Sequence, residues 1–242
     1  MNKTAFVTGA SKGIGKAIAF ELARNGMNVI VGCKTSITEA EEVASQLARY
    51  NVRSIAVKGD IGDYVSVKNM FDYIYSVFPQ VDVMVNNAGI SLVKPIMDTT
   101  YDEWIELVNV NLTSIYNTTK FVLPKMCENG FGRIINISSI WGEIGASCEV
   151  AYSACKAGVI GFTKALAKEV PPRVTVNCIA PGIIYTEMNA TLSEAEVVEF
   201  LKGVPASRMG KAEEIASLVS YLASENSGYT SGQIIGVNGG MC

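Results

Sequence analysis

Short runs of valine, isoleucine and alanine alternate with longer helical patterns from one end of this chain to the other, and few folds accept that order. The strand candidates are Thr4–Thr8, Val29–Cys33, Ser54–Lys58, Val81–Asn86, Arg133–Ser138, Thr175–Ala180 and Gln233–Val237. Helix candidates lie between them at Gly13–Asn25, Thr38–Tyr50, Val65–Phe78, Asp102–Met126, Val150–Val170 and Ala212–Ala223. Several of the strands are apolar on both faces, as parallel strands covered by helices on each side must be. Right-handed crossovers would wind such a chain into an open α/β structure, a doubly wound parallel sheet of about seven strands. No linker, repeat or low-complexity segment divides residues 1–242, so a single domain is expected. Thr100 with Glu103, and Ser193 with Glu196, have the spacing of capping boxes. The least regular segment, Pro181–Gly203, reads as a mobile flap.

Charge narrows the partners. Apolar residues make up 49% of the chain and charged residues 18%, the net charge is −3, and no run of Lys or Arg stands out. That balance gives no electrostatic footing for a nucleic-acid partner or an anionic membrane. No apolar run approaches the ~20 residues of a membrane helix. The N-terminus enters a strand without the apolar stretch of a signal peptide, so a cytoplasmic location is expected. Six cysteines (Cys33, Cys127, Cys148, Cys155, Cys178 and Cys242) show no C-x-x-C pair, and the chain has no histidine. No metal site is therefore expected, and the thiols read as buried groups in a reducing compartment.

The missing histidine raises a question about protons, because imidazole is the usual carrier near neutral pH. Tyr152 and Lys156 lie four residues apart on a helical pattern, so they share one face. Taken alone, such a pair also fits an ordinary amphipathic surface. Thr8-Gly9-Ala10-Ser11-Lys12-Gly13-Ile14-Gly15 follows the first strand and opens the first helix. Small residues in that place let backbone N–H groups and the helix N-terminus approach a pyrophosphate, as in a Rossmann-like sheet. The glycine spacing departs from G-x-G-x-x-G, and a tight structural turn would look the same.

Six features occur together in order: the glycine turn, Asn86-Asn87-Ala88-Gly89, Asn111, the serines Ser138 and Ser139, Tyr152 with Lys156, and Pro181-Gly182. In this combination the chain resembles the short-chain dehydrogenase/reductase family over essentially its whole length. The resemblance implies that Tyr152 is the general acid in carbonyl reduction, with Lys156 lowering its pKa and holding the nicotinamide ribose. It implies that Asn111 positions water in a proton relay and that a serine thirteen residues before the tyrosine, Ser139, holds the substrate oxygen. The residues alone do not separate Ser139 from Ser138. Cys155 points to another helix face and reads as a packed small residue. The cofactor residues implied are Gly9, Ser11, Lys12, Gly13, Ile14, Gly15, Asp60, Ile61, Asn87, Ala88, Gly89, Tyr152, Lys156, Pro181, Gly182, Ile184 and Thr186. A homotetramer is also implied, with the helices carrying Asn111 and Tyr152 packed between subunits.

Cofactor choice turns on the end of the second strand, where NAD-selective members of that family carry an acidic residue. Cys33, Lys34 and Thr35 stand there instead, and Lys12 is a second cation near the same ribose. Two cations and no carboxylate fit a 2′-phosphate, so NADP(H) is expected. Among subgroups the chain resembles the 3-oxoacyl-acyl-carrier-protein reductases. It departs from them at Ser91-Leu92-Val93 and before the fifth strand, where Lys125, Arg133 and Arg173 are the remaining cations. It also resembles bacterial reductases of a modified lysine ketone, the 5-aminopentanone group on elongation factor P. Trp141, Glu143 and Glu149 flank the expected substrate mouth, where a carboxylate could pair with an amine. Glu149 could equally favour the positive end of the helix that follows it.

Overall fold

A computed structural model describes residues 2–186 and 194–242. Seven parallel strands form one sheet: β1 (Thr4–Val7), β2 (Asn28–Cys33), β3 (Ser54–Lys58), β4 (Val83–Asn86), β5 (Gly132–Ile137), β6 (Val174–Pro181) and β9 (Ile234–Val237). Their order across the sheet is β3-β2-β1-β4-β5-β6-β9. Strand order reverses between β1 and β4, so the crossovers on either side of that point leave toward opposite edges. Their carboxyl ends part there and open a crevice.

Alternation along each strand decides the layers. In β1, Ala5 and Val7 face one side and pack with Ile18 and Leu22 of α1 (Gly13–Arg24), Val43 of α2 (Ile37–Leu47) and Val219 of α9 (Ala212–Ala223). Phe6 faces the other side, with Phe71 and Ile74 of α3 (Tyr64–Val77), Val122 of α5 (Ser114–Asn129) and Leu166 of α7 (Val150–Glu169). One strand thus feeds two cores, which is why its burial is unbroken.

The seven strands and the helices α1, α2, α3, α7 and α9 fall where the apolar pattern places them, to within a few residues. Two regions differ. The single helix expected over Asp102–Met126 runs instead as α4 (Tyr101–Val108), a π-helical turn (Asn109–Thr113) and α5. Thr100 and Glu103 form the expected capping box at its start. The expected flap contains ordered pieces: β7 (Ile184–Tyr185) pairs with β8 (Gly210–Lys211), and α8 (Glu194–Leu201) follows. The second capping box, at Ser193, lies outside the described residues. A short helix, α6 (Trp141–Ile144), also stands where no helix is expected. Among the described residues no helix is long and apolar enough to cross a membrane.

Phe6 is fully buried and meets Phe71 edge-on, with ring centroids 5.7 Å apart. Truncating it should leave a cavity behind β1. Phe6→Ala is expected to cost about 3–5 kcal/mol, seen as a lower urea midpoint at unchanged slope.

Candidate active site

The glycine turn sits where β1 ends. Gly9 has φ +63°, and a Cβ there would come within 3.0 Å of the Ala88 Cα; one at Gly15 would come within 2.3 Å of the Gly9 carbonyl oxygen. Asn87 stitches the turn to β4: its Nδ2 donates to the Thr8 and Gly9 carbonyls at 2.9 and 3.2 Å. Thr8 Oγ1 accepts from the Asn87 and Ala88 N–H groups. No side chain caps the first turn of α1. Its free N–H groups therefore face the crevice with the positive end of the helix dipole, which suits a pyrophosphate. The crevice holds a cavity of about 270 Å³.

Of the expected cofactor residues, Gly9, Ser11, Lys12, Gly13, Ile14, Gly15, Asn87, Ala88, Gly89, Pro181, Gly182, Ile184 and Thr186 line that cavity, as do Ser138 and Ser139. Tyr152 and Lys156 do not, nor do Lys34, Asp60 and Ile61. Lys34, Asp60 and Ile61 lie beyond the ends of β2 and β3, one and two strands from β1, on the order of 5–10 Å along the sheet. One premise about them needs correcting. A carboxylate does stand at this end of the sheet, because Lys34 Nζ lies 2.8 Å from Asp60 Oδ2. The sequence hides the pairing, since 26 positions separate the two residues and parallel strands bring them together.

Lys156 is 4% exposed, and its Nζ donates to the Ile137 carbonyl at 2.9 Å. Burial pushes its pKa down to about 8. Tyr152 lies one turn earlier on α7, and its ring centroid is 5.5 Å from the Lys156 Nζ. Burial pushes the phenol up to about 12, with the Glu149 carboxylate adding to the rise and a hydrogen bond with Ser139 opposing it. The expected lowering of the tyrosine by the lysine is therefore not met in this structure. The ammonium stands over the ring rather than beside the oxygen, and it is engaged by a backbone carbonyl.

The two serines separate. Ser138 Oγ donates to the Lys156 carbonyl at 2.8 Å and is buried. Ser139 Oγ accepts from the Trp141 N–H at 3.2 Å and shares a hydrogen bond with Tyr152. Asn111 occupies the π-helical turn between α4 and α5. Its Nδ2 donates to the Ile90 and Leu107 carbonyls at 3.0 Å each, and its Oδ1 accepts from the Ile90 N–H at 3.1 Å. A Cβ on Gly89 would meet both the Asn111 Oδ1, at 2.7 Å, and the Lys156 Nζ, at 3.3 Å. Tyr152, Ser139, Lys156 and Asn111 are thus brought to one end of the crevice.

Glu149 is half-buried beside them. It accepts from Ser91 Oγ at 2.8 Å and from the Trp141 side chain, and burial raises its pKa. Trp141 in turn meets Phe200 of α8, with centroids 6.1 Å apart. Glu143 is exposed and lies 3.9 Å from the Cys242 Sγ. Cys155 is buried, as expected of a packing residue.

Residues 3–197 match the model of the short chain dehydrogenase family. The chain belongs to that family. Three relatives carry the name 3-oxoacyl-acyl-carrier-protein reductase. The protein from Pseudomonas aeruginosa is 44% identical over 99% of this chain and 97% of its own length. Those from Aquifex aeolicus and Staphylococcus epidermidis are 43% and 41% identical, over 99% and 100% of this chain and 97% and 99% of their own lengths. As a short chain dehydrogenase the protein is an oxidoreductase that works between a carbonyl and an alcohol. Ser91, Gly142 and the Ile137 carbonyl are site features the motifs alone did not single out. Gly142 carried a signal, because a Cβ there would meet the Lys156 carbonyl carbon at 2.7 Å.

On the roles the resemblance implies, reduction needs the Tyr152 phenol protonated and the Lys156 ammonium charged, and both conditions fail as pH rises. The lysine fails first. The rate of carbonyl reduction should therefore fall as pH passes about 8, where burial places the Lys156 ammonium, and not near 12. A pH profile of kcat/KM that stays flat to pH 10 would contradict this.

Proposed function

We propose that the protein is an NADPH-dependent reductase that turns a 3-oxoacyl group carried on acyl carrier protein into the 3-hydroxyacyl group. The observation that carries this reading is the full-length similarity, at 41 to 44% identity, to relatives of that name. NADPH would supply the hydride. The chain's own residues do the rest. Ser139 and Tyr152 hold the carbonyl oxygen between their hydroxyls, and Tyr152 gives its proton to that oxygen as the carbon accepts the hydride. The phenolate left behind is favoured by the nearby Lys156 ammonium, which also holds the nicotinamide ribose. Asn111 holds water in the path that returns a proton. The glycine turn and the N-terminus of α1 take the pyrophosphate, and Lys12 and Lys34 the 2′-phosphate.

A cytoplasmic homotetramer belongs to the same reading. The six cysteines are all free, which fits a reducing compartment, but only Cys33, Cys155 and Cys178 are buried as expected, while Cys148 is half-buried and Cys127 and Cys242 are exposed. Met97, Tyr101 and Tyr116 stand exposed on and beside α4 and α5, which fits an apolar contact between subunits. Arg133 supports carrier docking less than its sequence position promised. It is buried at the start of β5, with its guanidinium donating to the Ser224, Gly132 and Arg173 carbonyls. Lys125 and exposed Arg173 remain to meet an acidic carrier.

Glu149 favours a second reading. A half-buried carboxylate at the substrate mouth, oriented by Ser91 and Trp141, could pair with the amine of an amino-ketone such as the 5-aminopentanone group on elongation factor P. The two readings separate in one experiment. On the first, acetoacetyl-carrier should exceed the same acyl group on a small thiol in kcat/KM by about tenfold at low salt, and the advantage should shrink as salt rises. On the second, Glu149→Gln should raise the KM of an amino-ketone by about 5- to 150-fold and spare an uncharged ketone. Carrier and small thiol reacting equally well, with such a split at Glu149, would reject the carrier reading.

The proton donor is common to both. Tyr152→Phe should lower turnover by at least ~10²-fold while NADPH affinity changes little. Turnover within a few-fold of the parent would remove Tyr152 from the mechanism.

A further inference from the structure

The parallel register places Cys33 opposite Lys58, and the Gly59 N–H donates to the Cys33 carbonyl at 2.9 Å. Lys34 and Asp60, one and two residues further on, therefore leave the sheet side by side and meet at 2.8 Å. The partners are not equally free. Asp60 Oδ1 accepts from the Gly62 N–H at 2.9 Å, and the Asp60 N–H donates to Ser66 Oγ at 2.8 Å. Its carboxylate is fixed by its own loop. Partial burial works against the charged form, yet Lys34 and Gly62 still hold the carboxyl below the usual range. Lys34 sits on a flexible stem with 54% of its side chain exposed, and Glu106 adds to the negative field around it.

We propose that Asp60 is a specificity-determining residue for the cofactor: it competes with a ribose 2′-phosphate for the Lys34 ammonium and so limits the preference for NADPH over NADH. The proposal rests on the NADPH reading for placing the adenosine ribose at the end of β2. A 2′-phosphate has to draw Lys34 away from a carboxylate that cannot follow, and it then stands near that uncompensated charge. A 2′-hydroxyl meets the opposite situation, because it can donate to the same carboxylate. One side chain thus tilts the balance at both ends. The local charges agree: Lys12, Lys34 and Lys58 stand against Asp60, Glu106, Glu39 and Glu41, so this end of the sheet is not basic.

Direct binding tests this without turnover. Dissociation constants for NADPH and NADH, read from the fluorescence of the bound reduced nicotinamide, give a ratio in which any adenine contact common to both cofactors cancels. Asn at position 60 keeps an oxygen for the Gly62 N–H, so the loop should survive Asp60→Asn. The pair is partly exposed, so the effect should be modest: the ratio should move about three- to fivefold toward NADPH. In a Lys34→Gln background the same substitution should move it much less. A ratio that Asp60→Asn leaves unchanged or shifts toward NADH overturns the proposal. A full-sized shift that persists without Lys34 overturns the competition, leaving plain repulsion. A parent protein that binds NADH more tightly than NADPH would sink the NADPH reading, whereas the direction of the Asp60→Asn shift judges the role of Asp60.

Discussion

Lys156 carries its ammonium into the interior at the carboxyl edge of the sheet, and the residues around it are arranged by what that group needs. A buried charge is tolerated only with hydrogen bonds close at hand. The Ile137 carbonyl supplies one, and the Ser138 hydroxyl fixes the lysine's own backbone. Gly142 and Gly89 leave the room that the lysine backbone and side chain take up. Asn111 closes the far side, and it can do so because the π-helical turn breaks the run of α4 into α5 at that residue. The same burial that sets Lys156 near 8 holds the phenol of Tyr152 fully protonated at neutral pH. A chain without histidine thereby holds a protonated phenol and a buried ammonium, 5.5 Å from the centre of that phenol's ring, in one site.

Strands and outer helices were legible because they obey simple periods. β1 shows why: its residues alternate between two cores, so both faces had to be apolar. The π-helical turn was not legible, since one extra residue in a turn barely disturbs an apolar stripe across Asp102–Met126. The candidate catalytic set was legible only as a resemblance, and the different partners of Ser138 and Ser139 came only with three-dimensional neighbours. The phenol's shift ran against expectation for a related reason. Sequence spacing places Lys156 on the right face, yet it cannot say that the ammonium would lie over the ring and bind a carbonyl. The Lys34 and Asp60 pair was hidden for the opposite reason, because its partners are joined only through strand register.

The crevice and the mouth carry different kinds of information. Backbone groups, glycines and the helix N-terminus form the crevice, and they suit any dinucleotide. The mouth is built from side chains reaching in from separate elements. Ser91 follows β4, Trp141 opens α6 and Glu149 precedes α7, while Phe200 brings α8 against the indole. The Glu149 carboxylate joins Ser91 to Trp141. On the proposed function, substrate identity is decided there, in residues whose positions owe nothing to the fold's periodicity.

The central claim is that burial, not a neighbouring base, sets the proton chemistry of this site. Lysine labelled with carbon-13 at Cε, followed by NMR across pH, reads the ammonium directly in the free protein. One lysine resonance should titrate near pH 8 and be absent from Lys156→Met. A spectrum in which no lysine resonance titrates near pH 8 would contradict the account.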